Sequence, residues 1–274
     1  MSNIDSRSFD IAIVCALARP ELEKVLETGE AGWEQLSGAE NDPSTYYAST
    51  FMAERGAQLS VVASAATQMG MPASAILATK MILRFRPKLV AMVGIAAGVK
   101  SGKQNYGDIL VPNRTFDYGA GKLQQVGDRV ELAPDPDPIR LSERLRARID
   151  QWSSKRLFLD EISQSWPLSQ QRTRLQVHVG PLGSGSAVVD TSQPMLDVLD
   201  HWRKLVGVEM EAYGAHLATQ TAVSPAPEFI CMKSICDFAT AKTDDWQDYA
   251  AFTASRLLHR FLVNEWENLF LDPR

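Results

Sequence analysis

The chain is poor in the residues that build small secreted scaffolds and metal centres. Its only three cysteines, Cys15, Cys231 and Cys236, lie in or beside apolar strand-like runs, form no CxxC pair and are odd in number. That pattern excludes a disulfide framework and points to reduced, mostly buried thiols. The four histidines, at 178, 201, 216 and 259, are scattered without ligand spacing, so no metal site is expected. Long apolar runs are also missing. The longest, such as 89–97, is too short to span a bilayer, and the polar start MSNIDSRSFD lacks a signal-peptide core. These absences lead us to expect a cytoplasmic protein without a membrane partner. Nor is there a dense basic run: with a net charge of −5, nucleic acid is disfavoured and a small molecule is the expected partner.

What is present is a large core. At 274 residues and 45% hydrophobic content, the chain suits one large α/β domain or two small ones and is not disordered. Strand and helix signals alternate. DIAIVCAL (10–17) reads as a strand and PELEKVLE as a helix, with Pro20 suited to its first turn. After a polar excursion, TYYASTFMA and AQLSVVASA read as a hairpin, MPASAILATKMILRF as a helix stopped at Arg86-Pro87, and KLVAMVGIAAGV as a buried strand. GDILVP is another strand. PDPDPIRLSERLRARIDQW reads as a connection into a charged helix, and LQVHVGPLGSGSAVV as a strand entering a Gly/Ser loop. KLVGVEM, EAYGAHLATQTA and FICMKSIC continue as strand, helix and strand before a long amphipathic helix in DDWQDYAAFTASRLLHRFLVNEW. The order predicts a single three-layer α/β domain over 9–274, after a flexible 1–8. Its central sheet is expected to be mixed and mainly parallel, with helices on both sides.

In such sheets ligands collect beyond the carboxyl ends of strands, where 94–98, 183–186, Glu211 and Asp237 would emerge together. Two acidic stretches stand out there. In VGVEMEAYGA, Glu209 and Glu211 bracket Met210 at a strand-to-helix junction; in KSICDFA, Asp237 ends an apolar run. An enzyme that cuts a sugar–base bond needs one carboxylate to grip the sugar hydroxyls as positive charge develops and another to protonate the departing base. Each also has a plainer reading. Glu209 is a solvated or structural acid, Glu211 a helix N-terminal carboxylate, Asp237 an N-cap, and the glycines are turn residues without the GK[ST] of a phosphate-binding loop.

Several landmarks in order, MGMPASA (69–75), VGIAAGV (93–99), GDILVP (107–112), GSGSAVV (183–189), VEMEA (208–212) and ICDFA (235–239), make the chain resemble the nucleoside phosphorylase and nucleosidase superfamily. The resemblance is greatest to its hydrolytic branch, which includes the 5′-methylthioadenosine/S-adenosylhomocysteine nucleosidases. It implies that Glu211 holds the ribose hydroxyls, that Met210 packs on the sugar and that Asp237 is the acid for purine N7. That acid requires a raised pKa, which the apolar run FICMKSIC would supply by desolvation. Val188 and Val189 would hold the base, with Gly94, Ile95, Ser184 and Arg19 completing the substrate pocket. Tyr118 and Lys122 of FDYGAGK would lie on a surface turn or border the pocket.

Glu21 is implied as the water activator, one residue later than the usual spacing, which places Pro20 at the matching count. Met92 and Ile95 stand where phosphorylases bind phosphate and suit no anion. The expected activity is hydrolytic release of a purine from an adenine nucleoside or nucleotide, without cofactor or metal, by a homo-oligomer. The ending CDFATAKTDDWQDYAAFTASRLL resembles defence-type domains, which adds nucleotide depletion during phage infection to the possible roles. A phosphate-dependent phosphorylase and a catalytically silent nucleotide sensor are the alternatives.

Overall fold

A computed structural model describes residues 8–36, 42–99, 102–153, 155–186, 202, 204–238 and 244–271. Val188 and Val189 lie outside the described residues. In chain order the strands are β1 (Ile11–Cys15), β2 (Glu34–Gln35), β3 (Tyr47–Met52), β4 (Gln58–Ala65), β5 (Leu89–Gly98), β6 (Ile109–Asp117), β7 (Gly121–Val126), β8 (Arg129–Pro134), β9 (Ile139–Arg140), β10 (Val177–Ser184), β11 (Gly207–Glu209) and β12 (Glu228–Phe238). The helices are α1 (Glu23–Leu26), α2 (Met71–Phe85), α3 (Glu143–Trp152), α4 (Arg156–Ser165), α5 (Ala212–Gln220) and α6 (Gln247–Phe270).

The main sheet runs β11-β10-β6-β12-β5-β1-β4-β3-β2. Strands β4, β1, β5 and β12 are parallel to one another, and so are β6, β10 and β11. The two groups meet antiparallel at β12–β6 and again at β11–β5, so one end of the sheet curls back onto β5. This mixed sheet, parallel within each group, carries the expected three layers.

Period-two side-chain alternation explains the layers. Along β1, Ile11, Ile13 and Cys15 enter one core while Ala12 and Val14 enter the other; along β5, Leu89, Ala91 and Val93 oppose Val90 and Met92. The first core is covered by α3, α4 and α6 through Leu145, Ile162, Phe261 and Trp266, and the second by α2 and α5 through Leu77, Met81, Phe85 and Ala215. Strands buried on both faces are why these segments read as continuous apolar runs rather than alternating ones.

Two local outcomes depart from the sequence reading. The segment expected as one helix over PELEKVLE is an irregular turn at Ala18–Leu22, with Arg19 extended (φ −131°, ψ 134°), followed by only one helical turn in α1. The segment after FDYGAGK is not simply a turn: β7 and β8 form a separate two-stranded hairpin, exposed along nearly its whole length.

Candidate active site

Strands β5 and β12 lie side by side with Gly94 in register with Lys233. Paired residues of neighbouring strands point to the same face, so the missing side chain at Gly94 leaves a space beside the lysine. Glu21 fills it: a Cβ on Gly94 would lie 1.9 Å from Glu21 Oε1. The irregular turn after β1 therefore delivers Glu21 into the sheet end despite the extra residue before it. Its carboxylate is buried and heavily held. Oε2 accepts from the N–H groups of Ala16 (2.7 Å) and Leu17 (3.0 Å), and Oε1 from that of Ile95 (2.8 Å).

Lys233 is the residue that the sequence reading missed. It is wholly buried (0% exposed), and its Nζ lies 3.4 Å from Glu21 Oε1, 3.4 Å from Glu211 Oε2 and 3.7 Å from Glu209 Oε2. Burial alone would lower its pKa, but Glu21, Glu211 and Glu209 outweigh that and hold it well above the ordinary lysine value. One ammonium thus bridges three carboxylates from three segments far apart in sequence. A lone lysine inside FICMKSIC was the available signal, since a cation in a fully buried strand requires partners. The run therefore does not supply a purely apolar wall; its one cation faces the second core layer, on the side of α5.

The two glutamates of VEMEA divide their work. Glu209 is structural and buried rather than solvated. Its Oε2 accepts from the N–H groups of Glu211 (2.9 Å) and Ala212 (2.8 Å), satisfying the start of α5, and its Oε1 accepts from Ser184 Oγ at 2.5 Å. Burial raises its pKa to about 7 against the pull of Lys233, with Glu211 adding to the rise. Glu211 occupies the N-cap position of α5 without capping it. Its Oε1 instead accepts from the Gly70 N–H (2.9 Å), and its carbonyl from Ser74 Oγ (2.8 Å), both at the start of α2. Gly70 adopts φ 108°, a left-handed region that favours glycine, which is how MGMPASA turns its amide toward the carboxylate.

Asp237 lies near the end of β12, half-buried, just after a register shift in the β12–β5 pairing. Cys236 occupies that irregularity, and its thiol donates to Asp237 Oδ2 at 3.6 Å. Such bulges re-aim the following side chain at a strand end. Met210 is half-buried between the two glutamates. Ser184 is fully buried, and its hydroxyl both donates to Glu209 and accepts from the Tyr213 N–H (2.9 Å). The structure thus gives it a supporting place in the carboxylate network in addition to its position at the end of β10. Arg19 has its side chain 88% exposed and paired with Glu23 at 3.3 Å, at the surface of the turn. Tyr118 lies against the Gly/Ser loop, where a Cβ on Gly185 would meet its ring at 2.0 Å, so it borders this end of the sheet. Lys122 is exposed on β7.

Among the described residues no group of His, Cys, Asp and Glu is arranged to hold a metal ion, and no helix is long and apolar enough to cross a membrane. All three cysteines are buried free thiols.

The model of the Phosphorylase superfamily matches residues 10–262; the chain belongs to that superfamily. It is 32% identical over 250 residues to the uncharacterized protein y4jS of Sinorhizobium fredii, covering 90% of this chain and 60% of that one. To the ATP nucleosidase Cap17 of Escherichia coli it is 25% identical over 235 residues, 81% of this chain and 45% of the relative. The chain thus spans about half the length of these curated relatives. Its fold is that of the Neisseria meningitidis 5′-methylthioadenosine/S-adenosylhomocysteine nucleosidase solved with methylthio-immucillin-A. That likeness has a TM-score of 0.68 and 16% identity, covering 92% of this chain and 98% of that structure.

Proposed function

We propose that the protein is an N-ribosyl hydrolase that releases adenine from a nucleoside or nucleotide by attack of water on C1′. The observation that carries this reading is the place taken by Glu21. The backbone N–H groups of Ala16, Leu17 and Ile95 converge there, as an anion site would require, but they already hold a buried carboxylate. A phosphate beside it would meet negative charge and find those donors occupied. Met92 agrees: its side chain is buried in the second core. Water is the nucleophile that fits.

In the proposed reaction the C1′–N9 bond breaks, its electron pair leaves with the base, and Asp237 gives a proton to N7. The ring becomes positively charged, and Glu211 stabilises it through the ribose hydroxyls while Met210 packs against the sugar. The oxygen of water bonds to C1′, and Glu21 takes its proton. Negative oxygens already in place before the charge develops stabilise the transition state more than the neutral ground state. Lys233 acts through these carboxylates, keeping Glu21 and Glu211 close together without letting them repel each other. No cofactor enters the scheme.

Similarity to Cap17 and to the methylthioadenosine nucleosidases supports adenine as the base and leaves two classes of 5′ group, phosphate or alkylthio. Incubation with methylthioadenosine, adenosine, AMP and ATP, with and without phosphate, and chromatography of the products tests the reading. Adenine release without phosphate is expected. Release from ATP or AMP would place the protein in nucleotide depletion and predict toxicity on expression, in keeping with an antiviral role, whereas preference for methylthioadenosine would place it in salvage. Strict dependence on phosphate, or tight binding without any product, would overturn the proposal.

A further inference from the structure

Strand β12 loses one neighbour before it reaches Asp237. It pairs with β6 only at Lys233 and Ser234, whereas its pairing with β5 runs on to Phe238. On the β6 side the turn that leads into that strand takes over: the Gly107 N–H donates to the Ile235 carbonyl (2.8 Å), and the Ile235 N–H donates to that of Asp108 (2.9 Å). The turn is itself fixed, because the buried Asp108 carboxylate accepts from the N–H groups of Asn105 (2.9 Å) and Gln176 (2.8 Å). It presents one aromatic ring, Tyr106. That ring meets Phe238 edge-on, with centroids 5.2 Å apart at 67°, and stacks flat on Trp246 at the start of α6, at 4.7 Å and 5°. Phe238 in turn lies across Gly98, where a Cβ would be 3.0 Å from its ring. The residue next to Asp237 is therefore held between β5 and Tyr106.

We propose that Tyr106 and Trp246 are positioning residues for the acid of the reaction: their stack holds Phe238 in place and, through it, aims the Asp237 carboxyl at the departing base. The inference rests on the hydrolysis proposed above and adds two residues to it. The register shift before Asp237 takes that residue out of the regular ladder, so the strand alone does not fix its direction. Its two neighbours do. On one side the Cys236 thiol lies 3.6 Å from the Ala96 carbonyl oxygen, and on the other Phe238 is wedged under Tyr106. A general acid works only within hydrogen-bond reach of the atom it protonates, and a misplacement of about 1 Å costs on the order of a hundredfold in rate. Two rings in flat contact suit this task, because stacking restricts both position and tilt. Trp246 has its own support in Tyr249, whose ring lies 5.9 Å away at 63° and whose hydroxyl accepts from the Thr173 N–H at 3.2 Å. Tyr106, Phe238 and Trp246 are all half-buried, so the stack stands at the edge of the core and its loss leaves the sheet layers filled.

A double-mutant cycle on the full chain tests it, with whichever of methylthioadenosine, adenosine, AMP and ATP the wild type cleaves. Trp246→Ala is expected to lower kcat by about ten- to a hundredfold with KM within about twofold, and Trp246→Phe to restore most of the loss. In the Asp237→Asn background the same Trp246→Ala change is expected to slow base release by less than about twofold, because the group it positions is already gone. Tyr106→Leu breaks the stack from the other side and is expected to reproduce the pattern, which keeps the test available if Trp246→Ala folds poorly. Equal losses in the two backgrounds, an effect confined to KM, or unchanged kcat in both stack variants would overturn the positioning role while leaving the hydrolase reading intact. Near-normal turnover in Asp237→Asn alone would instead remove Asp237 as the acid, and the positioning role with it.

Discussion

Replacing Lys233 by Met keeps the length and apolar stem of the side chain but leaves Glu21, Glu209 and Glu211 facing one another without a cation. The lysine is completely buried, with Nζ within 3.4–3.7 Å of all three carboxylates, so solvent screens little of the loss. Breaking a buried ion cluster by removing one partner costs about 3–5 kcal/mol. A domain of this size loses roughly 2–4 °C of melting temperature per kcal/mol, so the variant is expected to melt about 10 °C below the wild type at neutral pH. Scanning calorimetry reads this directly, and the pH dependence supplies a second check. Burial raises the Glu209 pKa to about 7, so acidification removes one of the three charges. The deficit of the variant should therefore narrow between about pH 8 and pH 5.5 as the repulsion falls. A variant melting within about 2 °C of the wild type, or a deficit that widens on acidification, would refute the idea that Lys233 neutralises this cluster.

Other perturbations probe the same site. Gly94→Ala places a methyl 1.9 Å from Glu21 Oε1 and must displace the carboxylate; turnover should fall by about a hundredfold while the fold persists, read by base release and circular dichroism. Glu209 has a folded-state pKa of about 7 against an ordinary 4.5, so its contribution to stability is full below 4.5 and lost as pH rises through 7. The melting temperature of the wild type relative to Glu209→Gln should accordingly be higher at about pH 5.5 than at pH 8; the opposite trend would contradict the buried, raised carboxyl. Asp237→Asn should lower turnover by at least about a hundredfold, the usual scale for a general acid, and near-normal turnover would remove it from that role. Glu211→Gln should reduce kcat more than it raises KM, because its work is done in the transition state; an effect confined to KM would make it a binding residue only.

The sequence disclosed most of the scaffold because its signals were local. The hairpin of β3 and β4, helix α2 and the long α6 follow from periodicity, and Arg86-Pro87 ends α2 where expected. The doubly buried strands were legible as continuous apolar runs. The site was legible only in part. The acidic residues could be singled out, but not their partners, because those contacts join residues up to 212 positions apart, as between Glu21 and Lys233. Glu209 and Glu211 are two residues apart in one segment and both buried, and only their different partners, the α5 amides for one and Gly70 for the other, tell them apart. Arg19 and Glu21 are two residues apart, yet the extended backbone at Arg19 turns their side chains to different surroundings, one at the surface beside Glu23 and the other buried. The hairpin of β7 and β8 was missed because its short strands are exposed along nearly their whole length and carry no buried apolar run.

The central claim is that water is the nucleophile at C1′. It is tested most directly by running the reaction in ¹⁸O-labelled water with phosphate present, using the adenine nucleoside or nucleotide that is turned over, and examining the sugar product by mass spectrometry. The account predicts free adenine and a sugar carrying ¹⁸O at C1′ after a single turnover, with no sugar 1-phosphate. A sugar 1-phosphate as the product, unlabelled at C1′, would contradict it.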